Sequence, residues 1–171
     1  MCEQITNILK TCDNNNLGGC KKIYFVPLEQ FDILSYASGS TTITDVDIAI
    51  QAYEVQVPNN TILYSVDLNN NDLGFTEYTH SVSFKIPKRN AITAFKLKAY
   101  IEAQNDLVVI VKTLNDTYQV LGKDNGLNVV SASGGSGIVK LDGSNYEITL
   151  EGIEEEMEYE ILSSVIEAFI N

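Results

Sequence analysis

The 171-residue chain contains no tryptophan, a single histidine (His80), three prolines and three cysteines. Each scarcity excludes something. One histidine cannot supply an H-E-x-x-H metal helix, and the chain also lacks a G-x-S-x-G elbow and a P-loop. His80 itself, in "YTHSVSF", is expected at a solvent-facing strand position, as ordinary surface, because a general base needs an orienting partner that the sequence does not advertise. Cys2, Cys12 and Cys20 are odd in number and match no zinc spacing, so reduced thiols in an N-terminal arm are expected, with no metal and no cofactor. The lack of tryptophan weakens a sugar-binding reading, although nine tyrosines remain. No apolar run approaches the roughly eighteen residues of a membrane span. The start, "MCEQITNILK", has neither a charged n-region nor an apolar h-region, so the chain is expected to stay in the cytoplasm where it is made, with no membrane partner.

Positive charge is also scarce. Eleven lysines and arginines face 23 acids, for a formal net charge of -12 and a pI near 4.3. Such a chain is not built to grip phosphate backbones, since that affinity comes from basic side chains neutralising phosphates.

What the chain does have is a globular composition, 44% hydrophobic and 20% charged, at a length that suits one domain with its own core. Residues 1–21, including the polar "TCDNNNLGGCKK", read as an arm, and 22–171 as a single β-sandwich domain. "KIYFVPLEQF" opens with a strand ended by Pro27, and "TTITDVDIAI", "QAYEVQV", "TILYSVDL" and "YTHSVSFKI" read as further strands. In the last of these, Val82, Phe84 and Ile86 alternate with Ser81, Ser83 and Lys85, giving one buried and one wet face, and Pro87 stops the strand. A helix follows over 88–104, with Asn90 as N-cap and Ile92, Phe95, Ala99 and Ala103 as its apolar stripe. "DLVVIVKT" and "TYQVLG" read as strands joined at "LND". "SASGGSG" reads as a flexible loop, "IVKLDGSNYEITLEG" as a hairpin turning at "DGSN", and "YEILSSVIEAFIN" as a strand running into a tail or a final helical turn. The fold class is therefore mainly β, an antiparallel sandwich or partly closed barrel flanked by a single helix.

Two features invite a chemical reading. "GGSG" lacks the lysine followed by serine or threonine that would hold phosphate and metal and precedes a β-hairpin rather than a helix, so it reads as a mobile loop. The acidic run "EGIEEEMEYEI" holds Glu151, Glu154, Glu155, Glu156, Glu158 and Glu160. To act as general acid and base or as metal ligands, two of them would have to converge in a cleft, whereas a charge run is ordinarily a solvated face; no catalytic residue is expected.

The charge is lopsided along the chain. Lys85, Lys88, Arg89, Lys96 and Lys98 lie within fourteen positions, while 142–171 holds nine acids. Two readings stand side by side: the segments pair within one chain, or Lys88, Arg89, Lys96 and Lys98 meet Glu151, Glu154, Glu155 and Glu156 across an interface between copies. Faces of opposite sign on identical subunits favour head-to-tail contacts that close into rings or stack into fibres.

The order of elements, with "LGGCKKIYFVPLEQF", then short strands, a helix, "DLVVIVKTLNDTYQVLGKDNGL", a glycine-rich stretch and "GIVKLDGSNYEITLEGIEEE", resembles the tail tube (major tail) proteins of tailed bacteriophages, as in phages of Bacteroidetes-type hosts. The resemblance spans residues 17–160. It implies two packed sheets flanked by a helix, no enzymatic activity, and assembly into stacked hexameric rings whose inner strands join into a barrel around a channel. DNA passes through such a channel without specific binding. Other virion tail proteins would be partners and the virion the destination. Arms or loops would bridge successive rings, here 1–21 and a loop within 36–60 or "SASGGSGI". Few cations and few prolines on strand edges suit a conduit whose edges pair with neighbours. Another virion structural protein (connector, tail terminator or capsid-associated) and a monomeric β-sandwich binding module are the alternatives.

Overall fold

Strong alternation and continuous apolar runs both become strands. The computed structural model describes residues 18–48, 52–58, 60–70, 74, 76–87, 90–103, 106–136 and 144–170. Its strands are β1 (Cys20–Pro27), β2 (Phe31–Tyr36), β3 (Thr42–Ile48), β4 (Tyr53–Val55), β5 (Leu63–Asn70), β6 (Thr76–Pro87), β7 (Leu107–Thr113), β8 (Tyr118–Leu121), β9 (Asn128–Gly135), β10 (Asn145–Glu154) and β11 (Tyr159–Ile161), with helices α1 (Ala91–Ala103) and α2 (Ser163–Ile166). They form a seven-stranded sheet, β2-β3-β11-β8-β7-β1-β4, and a four-stranded sheet, β5-β6-β10-β9. The fold is a two-sheet, mainly β architecture, and neither sheet closes into a barrel among the described residues.

The long apolar run "LVVIV" of β7 is buried on both faces because two cores flank the large sheet. Between the sheets, Ile23, Phe25, Val109 and Val111 pack against Val82, Phe84, Ile148 and Leu150. The Phe25 and Phe84 rings meet edge-on, centroids 5.8 Å apart. On the other face, Tyr24, Val108, Ile110, Tyr118 and Val120 form one cluster with Phe31, Ile43 and Ile161 of the same sheet and with Ile166 of α2.

Several expectations need correction. The sheets are not wholly antiparallel: β11 pairs in parallel with β3, inserting the chain's end between β3 and β8. The helix α2 joins α1, so the single flanking helix becomes two, and "YEILSSVI" supplies both the strand and the final helical turn. "SASGG" is not a loop: Ser131 to Gly135 continue β9 and pair with β10, which satisfies their backbone groups. The hairpin strand expected over "IVKL" and its turn at "DGSN" lie mostly outside the described residues. The bridging loop expected within 36–60 holds strands β3 and β4. Cys20 belongs to β1 rather than to an arm; it is a free thiol, 3% exposed, and burial pushes its pKa up. Cys2 and Cys12 lie outside the described residues.

The helix is where it was expected, and Asn90 caps it: its Oδ1 accepts the Thr93 N–H at 2.7 Å. Its stripe behaves otherwise. Ile92 and Phe95 are 71% and 74% exposed, so the first half of the stripe expected to pack on a sheet points to solvent, while the side chains of Ala99 and Ala103 lie outside the described residues. The crossover from β6 to β7 instead leaves a cleft between the helix and the sandwich, lined on the helix side by Thr93 and by Lys96, which stays exposed.

Candidate functional site

The four-stranded sheet presents a polar face to solvent. Cross-strand register places Leu63, Ser83, Thr149 and Ser131 in one row, and Ser65, Ser81, Glu151 and Asn128 in the next. Asp67, Thr79 and Ile153 continue it at one end, and Lys85, Glu147 and Ser133 at the other. Alternation explains this composition: each of these residues is one step out of phase with the buried Val82, Phe84, Ile148 and Leu150. The surface is thus mostly small hydroxyls and carboxylates. The four strands contain one lysine and no arginine, and that lysine, Lys85, sits 3.6 Å from Glu147 across the β6–β10 pair. Both side chains are about half exposed, so this pair cancels charge locally more than it stabilises the fold.

Among the described residues, β5 and β9 each have a neighbour on one side only. Each is eight residues long, and neither contains a proline or a lysine to discourage pairing. Both also expose apolar side chains, Leu63 and Leu68 on β5 and Val130 on β9. Because all three pairings in this sheet are antiparallel, the two outer strands run in opposite directions.

A buried polar bridge holds the far end of this sheet against the β8–β9 turn. Glu154 is 2% exposed, and its carboxylate accepts the backbone N–H groups of Asp124 at 2.9 Å, Asn125 at 2.9 Å and Gly126 at 3.2 Å. Burial pushes the Glu154 carboxyl above the usual carboxylate range, while the amides of Asn125 and Asp124 pull it back. Beside it, His80 is 1% exposed, with Nδ1 accepting the Gly122 N–H at 3.3 Å and Nε2 placed 3.0 Å from the Glu156 carbonyl oxygen, to which it donates. With both ring nitrogens engaged by backbone, this imidazole braces β6 against the backbone at Gly122 and Glu156.

This corrects two expectations. His80 is in phase with Val82 and Phe84 and therefore faces inward; its polarity had suggested surface, but the strand period decides. Glu154 is likewise in phase with Ile148 and Leu150, so it leaves the solvated acidic run and turns into the protein. Counting by twos from either buried residue was the available signal. Replacing Glu154 with leucine keeps its volume but removes every acceptor, leaving the buried Gly126 amide unpaired; thermal or denaturant unfolding should register a loss of about 3 kcal/mol, against about 1 kcal/mol for Glu154→Gln.

The other expected interface residues scatter. Glu151 lies on the polar face, and Glu155 and Glu156 are exposed in the turn beyond β10. Lys96 and Lys98 are exposed on α1, while Lys88 and Arg89 lie outside the described residues. Among the described residues the basic and acidic segments meet at Lys85 and Glu147. Among the described residues no group of three or more His, Cys, Asp or Glu side chains is placed to hold a metal. An open cleft of about 440 Å³ runs between α1 and the sandwich, walled by Phe25, Val55, Phe84 and Ile86, with Tyr53, Glu54, Thr93 and Lys96 also lining it. Comparison with protein-family models, curated proteins and solved structures finds no match.

Proposed function

We propose that this chain is a non-enzymatic structural subunit that closes into rings through the edges of its four-stranded sheet, as in the tail tube of a tailed phage. The observation that carries this reading is the pair of oppositely directed outer strands, each with a strand neighbour on one side only among the described residues. A rotation that preserves strand direction brings β9 of one copy beside β5 of the next as an antiparallel pair. An even number of alternating strands thus lets a ring of any size, a hexamer included, close with antiparallel joints throughout.

The polar face then lines the bore. Asp67, Glu77, Glu147 and Glu151 against a single paired lysine make a wall that repels a polyanion, and short hydroxyl side chains leave it smooth. Lysine–phosphate attraction would convert passage of DNA into binding, and this wall supplies almost none. On this reading the subunit is made in a host cytoplasm, ends in the virion, and meets other tail proteins at the ends of the tube.

Analytical sedimentation and negative-stain imaging of the purified chain test the proposal. Rings with an open centre are expected at micromolar concentration. A stable 18.9 kDa monomer at several hundred micromolar would overturn it and favour the second reading, a monomeric binding module using the aromatic-walled cleft beside α1.

A further inference from the structure

Two exposed patches on this molecule are complementary and cannot meet within one chain. The first is on the N-terminal half of α1, where Ile92 and Phe95 project into solvent on a helix whose Lys96 and Lys98 are exposed residues. A helix ordinarily buries such apolar residues, so this face lacks its covering partner among the described residues. The second is the turn between β10 and β11, where Met157 is 51% exposed and flanked by the exposed carboxylates of Glu155 and Glu156.

Register sets them apart. α1 begins just past Pro87, at the end of the sheet where Ile86 pairs with Tyr146, and its Thr93 and Lys96 line the cleft together with Ile86 and Phe84. The acidic turn begins just past Glu154, which pairs with Tyr78. Those two levels are eight residues apart along β6, roughly 26 Å at about 3.3 Å per residue. An apolar-basic patch at one end of the strands and an apolar-acidic patch at the other form a heterologous pair, which adds copies along the strand direction. The β5 and β9 edges, by contrast, add copies sideways.

We propose that α1 of one copy docks on the 155–157 turn of a second copy, with Phe95 and Met157 as apolar anchors and Lys96 and Lys98 set against Glu155 and Glu156, and that this contact stacks one ring on the next. The inference rests on the ring reading above and names what joins successive rings. Charge complementarity selects the second copy as occupant: a chain of net charge -12 repels itself on average, and this basic helix is where that repulsion reverses.

The full-length chain carrying Glu155→Lys and Glu156→Lys is compared with wild type by sedimentation and negative-stain imaging at low salt, with a thermal melt confirming that it is folded. Wild type should give multi-ring stacks, and the variant single rings with a mean stack length at least fivefold shorter. Adding Lys96→Glu and Lys98→Glu to the same chain should restore stacking, because the pairing is then reversed on both sides. Phe95→Ser, which leaves every charge in place, should shorten stacks as well. Rings that stack equally well in the Glu155→Lys/Glu156→Lys chain, or a four-fold variant that does not regain stacking, would sink this inference and leave the ring reading intact. A wild-type monomer at high concentration would remove both.

Discussion

A chain carrying lysine at Leu63 and at Val130 should remain folded and sediment as a monomer of about the wild-type mass, 18.9 kDa. Both side chains are already exposed, at 68% and 55%, so the substitutions empty no core and should move the unfolding midpoint little. Both lie on the outer strands of the four-stranded sheet, which among the described residues have a neighbour on one side only. In a ring, the joint would bring added positive charge onto both facing edges. Like charges brought together in a nascent strand pair, with the apolar contact removed, make lysine an effective edge protector. Each single substitution should raise the concentration for half-assembly at least tenfold, about 1.4 kcal/mol per joint, and the pair should abolish rings at micromolar concentration. Lysine at an outward position away from the edges, such as Ser81→Lys on β6, should leave assembly intact, which separates edge chemistry from a general effect of added charge. Rings of unchanged abundance in the Leu63→Lys/Val130→Lys chain would exclude β5–β9 pairing as the joint.

The second large effect concerns folding. Gly152 faces inward on β10, level with His80, and a β-carbon built there overlaps the carbonyl oxygen of Gly126 and comes within 2.9 Å of the Leu127 side chain. The obstacle is backbone, which cannot swing aside as a side-chain tip would. Gly126 itself is tied to Glu154 and has φ +78, so the turn has little freedom to retreat. Gly152→Ala should therefore cost about 3 kcal/mol, lowering the melting temperature by roughly 10 °C for a chain of this size. Gly39→Ala makes a useful contrast: with φ +70 it is strained by about 1 kcal/mol, yet nothing lies near its missing β-carbon, so its effect should be several-fold smaller. A Gly152→Ala protein that melts with wild type would show that the β10 end and the 124–126 turn are not in the contact described.

These two positions mark different depths of legibility. The wet face carrying Leu63 was readable because a strand alternates with period two and its polar phase is written in the residues themselves, as "HSVSFKI" shows. Gly152 looked like any other glycine in an acidic stretch. Its importance comes from Gly126, which is 26 residues earlier and is brought close only when β9 pairs with β10. The same separation hid the Glu154 bridge, whose partners at 124–126 lie far away in sequence.

Sequence by itself determined that this is a β-rich domain, where most strands begin and stop, that α1 follows Pro87 with Asn90 at its cap, and that the wet face of β6 is small and polar. All of these follow from short-range geometry: backbone angles, capping and the two-residue repeat act between near neighbours. Tertiary structure alone decided the order of the strands, the parallel insertion of β11 beside β3, the backbone partners that His80 and Glu154 meet inside, and the exposure of Ile92 and Phe95. Those outcomes depend on which distant segments compete for each strand edge and each apolar surface, and burial of a polar group becomes tolerable only once specific backbone amides and carbonyls arrive to satisfy it.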